Sequence, residues 1–144
     1  MILSICISYV NAVKGGVESY LKINLGKQIR ALYIDAHLIT ESMAIVHYLE
    51  ETRPGPISLL PSDPFQRATI RKLCEQINAG IQPLQNSKVL AKLSEDFKAD
   101  EKAWAHYWNY HGLTALEKLM KDTAGKYSVG DTLSLDDAYL VPQA

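Results

Sequence analysis

The chain has 144 residues, with 15 Lys and Arg against 16 Asp and Glu, a formal net charge of -1 at pH 7 and 47% hydrophobic residues. That length holds one ordinary domain or two small ones around a real apolar core, and the interspersed charges leave no electrostatic footprint for nucleic acid or an anionic membrane. Cys6 and Cys74 stand far apart and outside any CxxC or His/Cys ligand spacing, which argues against a disulfide framework and a structural metal and fits a reducing, cytoplasmic compartment.

Residues 1 to 10 are apolar but lack a basic flank and a small-residue cleavage site, and they are too short to span a bilayer. Their Ile, Val and Tyr enrichment predicts a buried strand over residues 2 to 10, ended by Asn11 and the Lys14-Gly15-Gly16 break. Residues 17 to 25 fit one or two helical turns. Two strand-like runs, 29 to 34 and 37 to 40, flank Asp35-Ala36 at a spacing that suits a hairpin. Met43, Val46 and Leu49, with Ile45 and Tyr48, then recur at helical spacing through Glu50 and Glu51 until Pro54 stops the pattern.

Pro54-Gly55-Pro56 through Pro61-Ser62-Asp63-Pro64 is dense in turn formers. It divides the chain into residues 1–54, a linker 55–64 and a helical part 65–144. Asp63-Pro64 predicts a cap and first helical position, with Ile70, Leu73, Cys74, Ile77 and Ile81 on one face. Pro83 interrupts that helix, residues 89 to 93 resume the apolar pattern, and residues 102 to 121 form another helix that closes near Gly125. A last helix opens at Leu133-Ser134-Leu135-Asp136-Asp137, where Ser134 and Asp137 make a structural capping box. It is expected to be short, with no element on which to pack its apolar face, so the C-terminus reads as cut.

Glu41-Ser42, at the mouth of the helix that follows the hairpin, is the most informative pair. A helix N-terminus offers amides and partial positive charge to a carboxylate, the Ser42 hydroxyl adds to that, and the Glu41 carboxylate beside it suits an ammonium. Together they fit the head of an α-amino acid. The alternative is a plain cap with an acidic first turn.

Leu32-x-Ile34-Asp35 followed by Ile39-Thr40-Glu41-Ser42-x-Ala44-Ile45-x-x-Tyr48-Leu49-Glu50-Glu51-Thr52-Arg53-Pro54 resembles the signature of zeta-class glutathione transferases of the maleylacetoacetate isomerase type. Leu59-Leu60-Pro61, Asp63-Pro64, Arg67-Ala68, Gly80-Ile81-Gln82-Pro83-Leu84-Gln85-Asn86 and Gly125-Lys126-Tyr127-x-Val129-Gly130-Asp131 extend it in order over most of the chain. The resemblance implies an α/β, thioredoxin-like glutathione domain before the linker and an all-α domain after it. It also implies glutathione as cofactor, a small electrophilic or maleyl-type acid as substrate, and a homodimer that pairs one protomer's first domain with its partner's second. Glu41 and Ser42 would bind the γ-glutamyl group, the backbone of Ile29 would pair with the cysteinyl part, and Gln82 and Asn86 would line the site. From the residues alone, Gln82 and Asn86 serve equally to satisfy backbone opened by Pro83. The implied reaction is addition of the glutathione sulfur to the cis double bond of maleylacetoacetate, rotation, and expulsion of the thiol to give fumarylacetoacetate. Conjugation of small electrophiles goes with it.

The departures are specific. The Ser- and Cys-rich motif with which the family holds the thiolate is missing, so no catalytic residue is assigned, and the chain is expected to begin at the family's second strand. Arg30 stands in place of a cis-proline and is expected to be trans, shifting the backbone meant for glutathione. Leu25 and Ala36 replace a proline and a glycine, and the substrate-carboxylate arginine falls beyond Ala144. Little isomerase activity is therefore expected of this stretch alone, and a non-catalytic, transferase-like assembly module is the competing expectation. Among other candidates, Trp104, Tyr107, Trp108 and His111 share a helical face and are expected in the core. His106 and His111, five apart, diverge and make no metal pair; His37 and His47 are expected at the surface or hydrogen-bonded. Tyr9 is a weak substitute for the thiol-holding tyrosine of other classes.

Overall fold

A computed structural model describes Tyr20, Lys22, Asn24 and residues 30–143. The strand expected over residues 2 to 10 lies outside these, as do Cys6, Tyr9, Leu25 and Ile29. The chain divides into two compact units, Met1–Arg53 and Pro54–Ala144.

In the first unit, β1 (Ala31–Ile34) and β2 (His37–Thr40) pair antiparallel, with Ala31 opposite Thr40 and Ile34 opposite His37. Asp35 and Ala36 close the hairpin with φ of 51° and 63°, the doubly left-handed conformation whose twist matches the flanking strands. Helix α1 (Ser42–Thr52) follows directly. Its last turn is fastened to the hairpin. The Tyr48 hydroxyl donates to Asp35 Oδ2 at 2.7 Å, and Arg53 Nη2 reaches Oδ1 at 2.5 Å. The Arg53 and Tyr48 bonds hold the Asp35 carboxyl below the usual carboxylate range, and the same Asp35 bond raises the Tyr48 phenol.

The second unit is helical. Asp63 accepts the Gln66 amide at 2.7 Å and starts α2 (Pro64–Gly80) with proline in its first turn. Ile70, Leu73, Cys74 and Ile77 lie on its buried face, as the spacing predicts, and Ile81 is sealed just beyond it. At Pro83 the chain tightens into a 3-10 turn, Gln82–Gln85, and Asn86 then caps α3 (Ser87–Phe97) by accepting the Lys88 amide at 3.1 Å. Lys98 ends α3 with φ of 52°, a left-handed cap. Asp100 accepts two amides, Lys102 and Ala103, to start α4 (Glu101–Met120). Leu73, Ile77, Ile81 and Leu116 form the core cluster that joins α2 to α4, and Trp104 Nε1 donates to the Leu84 carbonyl at 2.8 Å, tying α4 to the 3-10 turn.

Helix α5 (Leu135–Leu140) corrects one expectation. It is short, but it packs along α2 and buries Leu135, Asp136 and Asp137. The contact was missed because the start of α5 buries two carboxylates beside Leu135, which no hydropathy pattern marks as buried.

The α4 aromatic stripe also departs from the expected core packing. Trp104 and Trp108 are half-buried with ring centroids 5.8 Å apart, whereas Tyr107 is 54% exposed and lies tilted against an exposed His111, ring centroids 4.2 Å apart. The 3-10 turn and α3 cover the tryptophan side of the helix, and the stripe is wider than that cover.

Candidate functional site

The hairpin register sets the site in the first unit. Ala31 and Thr40 are its terminal pair, so Arg30 and Glu41, one residue beyond on each strand, are brought opposite each other, and Ser42 opens α1. Among the described residues, five that are not glycine have φ in the left-handed region: Arg30, Asp35, Ala36, Glu41 and Lys98. Asp35 and Ala36 make the tight turn, and Lys98 makes a left-handed helix C-cap. Neither reason applies to Arg30 at 101° or Glu41 at 71°, and both flank Ser42.

Glu41 is the N-cap of α1 with ψ of 124°, but its side chain makes no capping bond. The carboxylate is exposed. Its carbonyl accepts the Ile45 amide at 3.0 Å, which starts the helix ladder. Ser42, half-buried in the first turn, accepts a bond from Arg30 Nη1 at 3.3 Å, while the Arg30 amide donates to the Tyr20 hydroxyl at 3.0 Å. An exposed carboxylate, a hydroxyl, a guanidinium and a helix N-terminus therefore converge within three consecutive backbone segments. The donor set suits a carboxylate, and Glu41 suits an ammonium.

The second unit presents Gln82 and Asn86 at either end of the 3-10 turn. Gln82 is exposed. The Asn86 side-chain oxygen is taken by the Lys88 amide, the structural role that the residues themselves allow. The neighbour Gln85 makes the more developed contact: Asn109 Nδ2 donates to Gln85 Oε1 at 2.5 Å, and Gln143 Nε2 donates to Asn109 Oδ1 at 3.3 Å. This amide chain joins the turn to α4 and the residues after α5, and its only trace in the sequence is three scattered amides with no common spacing. The Arg30 side chain has no local mark in the sequence either, since its partner Ser42 lies twelve residues on. The hairpin pairing was the signal that could have found it.

Ser134 and Asp137 do the structural work expected of them. Asp137 Oδ2 accepts the Ser134 amide at 2.9 Å, and Oδ1 accepts the Ser128 amide at 2.9 Å and its hydroxyl at 2.5 Å. Burial pushes the Asp137 carboxyl up, but these bonds outweigh it and hold the group below its ordinary value. Next to it, Asp136 is 1% exposed; Oδ1 accepts the Ser134 hydroxyl at 2.6 Å, and among the described residues Oδ2 has no hydrogen-bond partner. Burial first, then the Asp137 charge, push the Asp136 carboxyl up. Cys74, fully buried, has its thiol pushed up to about 12 by burial and by the Asp136 and Glu75 charges. Among the described residues, no three or more His, Cys, Asp or Glu side chains gather in a way that could hold a metal, and no helix is long and apolar enough to cross a membrane.

No family model matches the chain. It is 47% identical, over 88% of its own length and 50% of the relative's, to the probable maleylacetoacetate isomerase 1 of Drosophila melanogaster. Among solved structures, a maleyl pyruvate isomerase described as a bacterial glutathione S-transferase in the zeta class aligns with a TM-score of 0.82 at 36% identity, over 88% of this chain and 62% of that one. The maleylacetoacetate isomerase of Anaeromyxobacter dehalogenans 2CP-1, solved with bound GSH in its active site, aligns with a TM-score of 0.73 at 36% identity, over 92% of this chain and 69% of that one. This chain belongs to the zeta-class glutathione transferases. The zeta-class architecture accounts for the short hairpin and helix followed by an all-helical unit. The chain spans 50 to 62% of the length of the curated maleylacetoacetate isomerase relatives from fly and mouse that it matches.

Proposed function

We propose that the chain carries the γ-glutamyl part of a glutathione site in a maleylacetoacetate isomerase of the zeta class. The observation that carries this reading is Glu41: a non-glycine residue with φ of 71° at a helix mouth, its carboxylate exposed and making no capping bond. Backbone held in this region costs about 1 to 3 kcal/mol, persists only where the surrounding structure holds it, and clusters at ligand sites. Here Glu41 takes the ligand ammonium, while Ser42 and the first turn of α1 take its α-carboxylate. Ile29, Gln82 and Asn86 belong to the proposed set by the resemblance; Gln82 is exposed, and the Asn86 side-chain oxygen is engaged by its capping bond. Bound glutathione supplies the thiol that adds to, and leaves, a maleyl-type acid. The described residues orient the tripeptide, and the thiolate-stabilising group is not among them, so catalytic turnover by this stretch alone is expected to be low. The homodimer, the cytoplasmic location and the domain limits 1–54, 55–64 and 65–144 belong to the same proposal.

Isothermal calorimetry with glutathione tests it. Removing a charge-assisted hydrogen bond weakens binding by about 1.5 to 3 kcal/mol, so Glu41→Ala and Ser42→Ala each lower affinity, the former by at least about tenfold, and the double variant binds no measurable tripeptide. Unchanged affinity in a correctly folded double variant refutes the assignment.

A further inference from the structure

We propose that Arg30 is a carboxylate anchor of the Ser42 site and thereby determines its ligand specificity, selecting tripeptides that carry an α-carboxylate on the γ-linked residue. This rests on the γ-glutamyl reading above. Three features support it. First, the hairpin fixes the placement: Arg30 lies one residue before the Ala31–Thr40 pair and Ser42 two residues after it, so the guanidinium reaches the mouth of α1 from the opposite strand. Second, Arg30 Nη1 donates to Ser42 Oγ at 3.3 Å. That bond occupies an acceptor position of the hydroxyl and leaves its proton available to donate outward. Third, the guanidinium has five N–H donors in a rigid fork, and among the described residues its side chain pairs with this neutral hydroxyl and with no carboxylate.

A cation with spare donors beside a helix N-terminus is matched by one ligand group, a carboxylate that bridges Arg30 and Ser42. Glu41 discriminates the ammonium; Arg30 discriminates the acid. A ligand with the amine but without the α-carboxylate leaves the guanidinium unused. The backbone also points to a role other than folding, because Arg30 has φ of 101°, where a side chain is strained and glycine is relaxed.

The test measures binding of two ligands by calorimetry: glutathione, and its analogue with hydrogen in place of the γ-glutamyl α-carboxylate, γ-aminobutyryl-cysteinylglycine. The proteins are the natural chain, Arg30→Gly and Arg30→Lys. Arg30→Gly relieves the strained φ, so loss of folding does not confound the result, and circular dichroism verifies it. Arg30→Gly is expected to bind glutathione about tenfold more weakly and the analogue unchanged. Arg30→Lys falls between, since an ammonium keeps the charge and loses the fork, and the Arg30-dependent part of the affinity falls as salt is raised. Equal or tighter glutathione binding by Arg30→Gly overturns the inference, as does an equal loss for both ligands. If Glu41→Ala/Ser42→Ala abolishes binding while Arg30→Gly does not, only the role of Arg30 fails. If the natural chain binds no glutathione, the γ-glutamyl reading fails and takes this inference with it.

Discussion

Two adjacent carboxylates at the start of α5 show how differently one residue type behaves a single position apart. Asp137 has a full set of donors; Asp136, 1% exposed, leaves one oxygen unpaired among the described residues. Their effects on stability have opposite signs. The Asp136 carboxyl is raised in the fold, so its share of stability is complete below its unfolded value, about pH 4, and is lost as pH climbs through the folded value. Asp137 is lowered, so its share is complete above about pH 4 and is lost as pH drops through its folded value. Asp136→Asn keeps the acceptor for Ser134 and removes the charge. Thermal denaturation from pH 4 to 8 is expected to lose its alkaline decline in this variant, with the midpoint at pH 8 several degrees above that of the natural chain, about 1 to 3 kcal/mol. A decline of unchanged slope rules this out. Little of this was legible beforehand. The Ser134–Asp137 spacing announces a capping box, but Asp136 and Asp137 are the same letters in a row, and only the approach of α2 separates them. Glu41 and Ser42 were legible as a pair, because a helix start after a hairpin needs nothing from the rest of the chain. Arg30 was not, because its partner is set by strand pairing.

At the scale of elements, what could be read was what depends on local periodicity: the hairpin around Asp35-Ala36, the Asp63 cap, the apolar face of α2 and the break at Pro83. The packing of α5 on α2 and the half-exposed stripe on α4 depend on neighbours far along the chain, and the sequence carries no local mark of them. The junction of α2 and α4 is closely packed where Gly112 meets Ile81. At Gly112 an added Cβ would stand 2.4 Å from Ile81 Cγ1, a side chain that is itself 0% exposed, whereas at Gly80 it would meet only the Gln76 amide at 3.3 Å. The same substitution should therefore have opposite effects. Gly80→Ala gains up to about 1 kcal/mol of helix propensity; Gly112→Ala loses about 1 to 3 kcal/mol to overpacking, with part of that offset by the same propensity. Urea denaturation of the two variants gives the answer, and a stabilised Gly112→Ala would mean that Ile81 yields more freely than a sealed position should.

For the molecule as a whole, the described buried apolar side chains, Ile70, Leu73, Cys74, Ile77, Ile81, Leu116 and Leu135, all belong to the second unit. The described part of the first unit places a proposed ligand site on a hairpin and on a helix with no fully buried residue. Protection should follow that division. In hydrogen exchange followed by mass spectrometry, the amides of α2 and α4 are expected to exchange slowest and those of β1, β2 and α1 at least tenfold faster, with glutathione slowing the second group. Equal protection in both units would contradict this. Cys74 has a consequence of its own. Its sulfur is enclosed and stays protonated far above neutral pH, so it neither competes with an incoming thiol nor reacts with the electrophile that such a thiol would attack. Among the described residues no cysteine thiol is open to the proposed substrates, so the sulfur proposed to react there is the one that arrives with the tripeptide and departs with it.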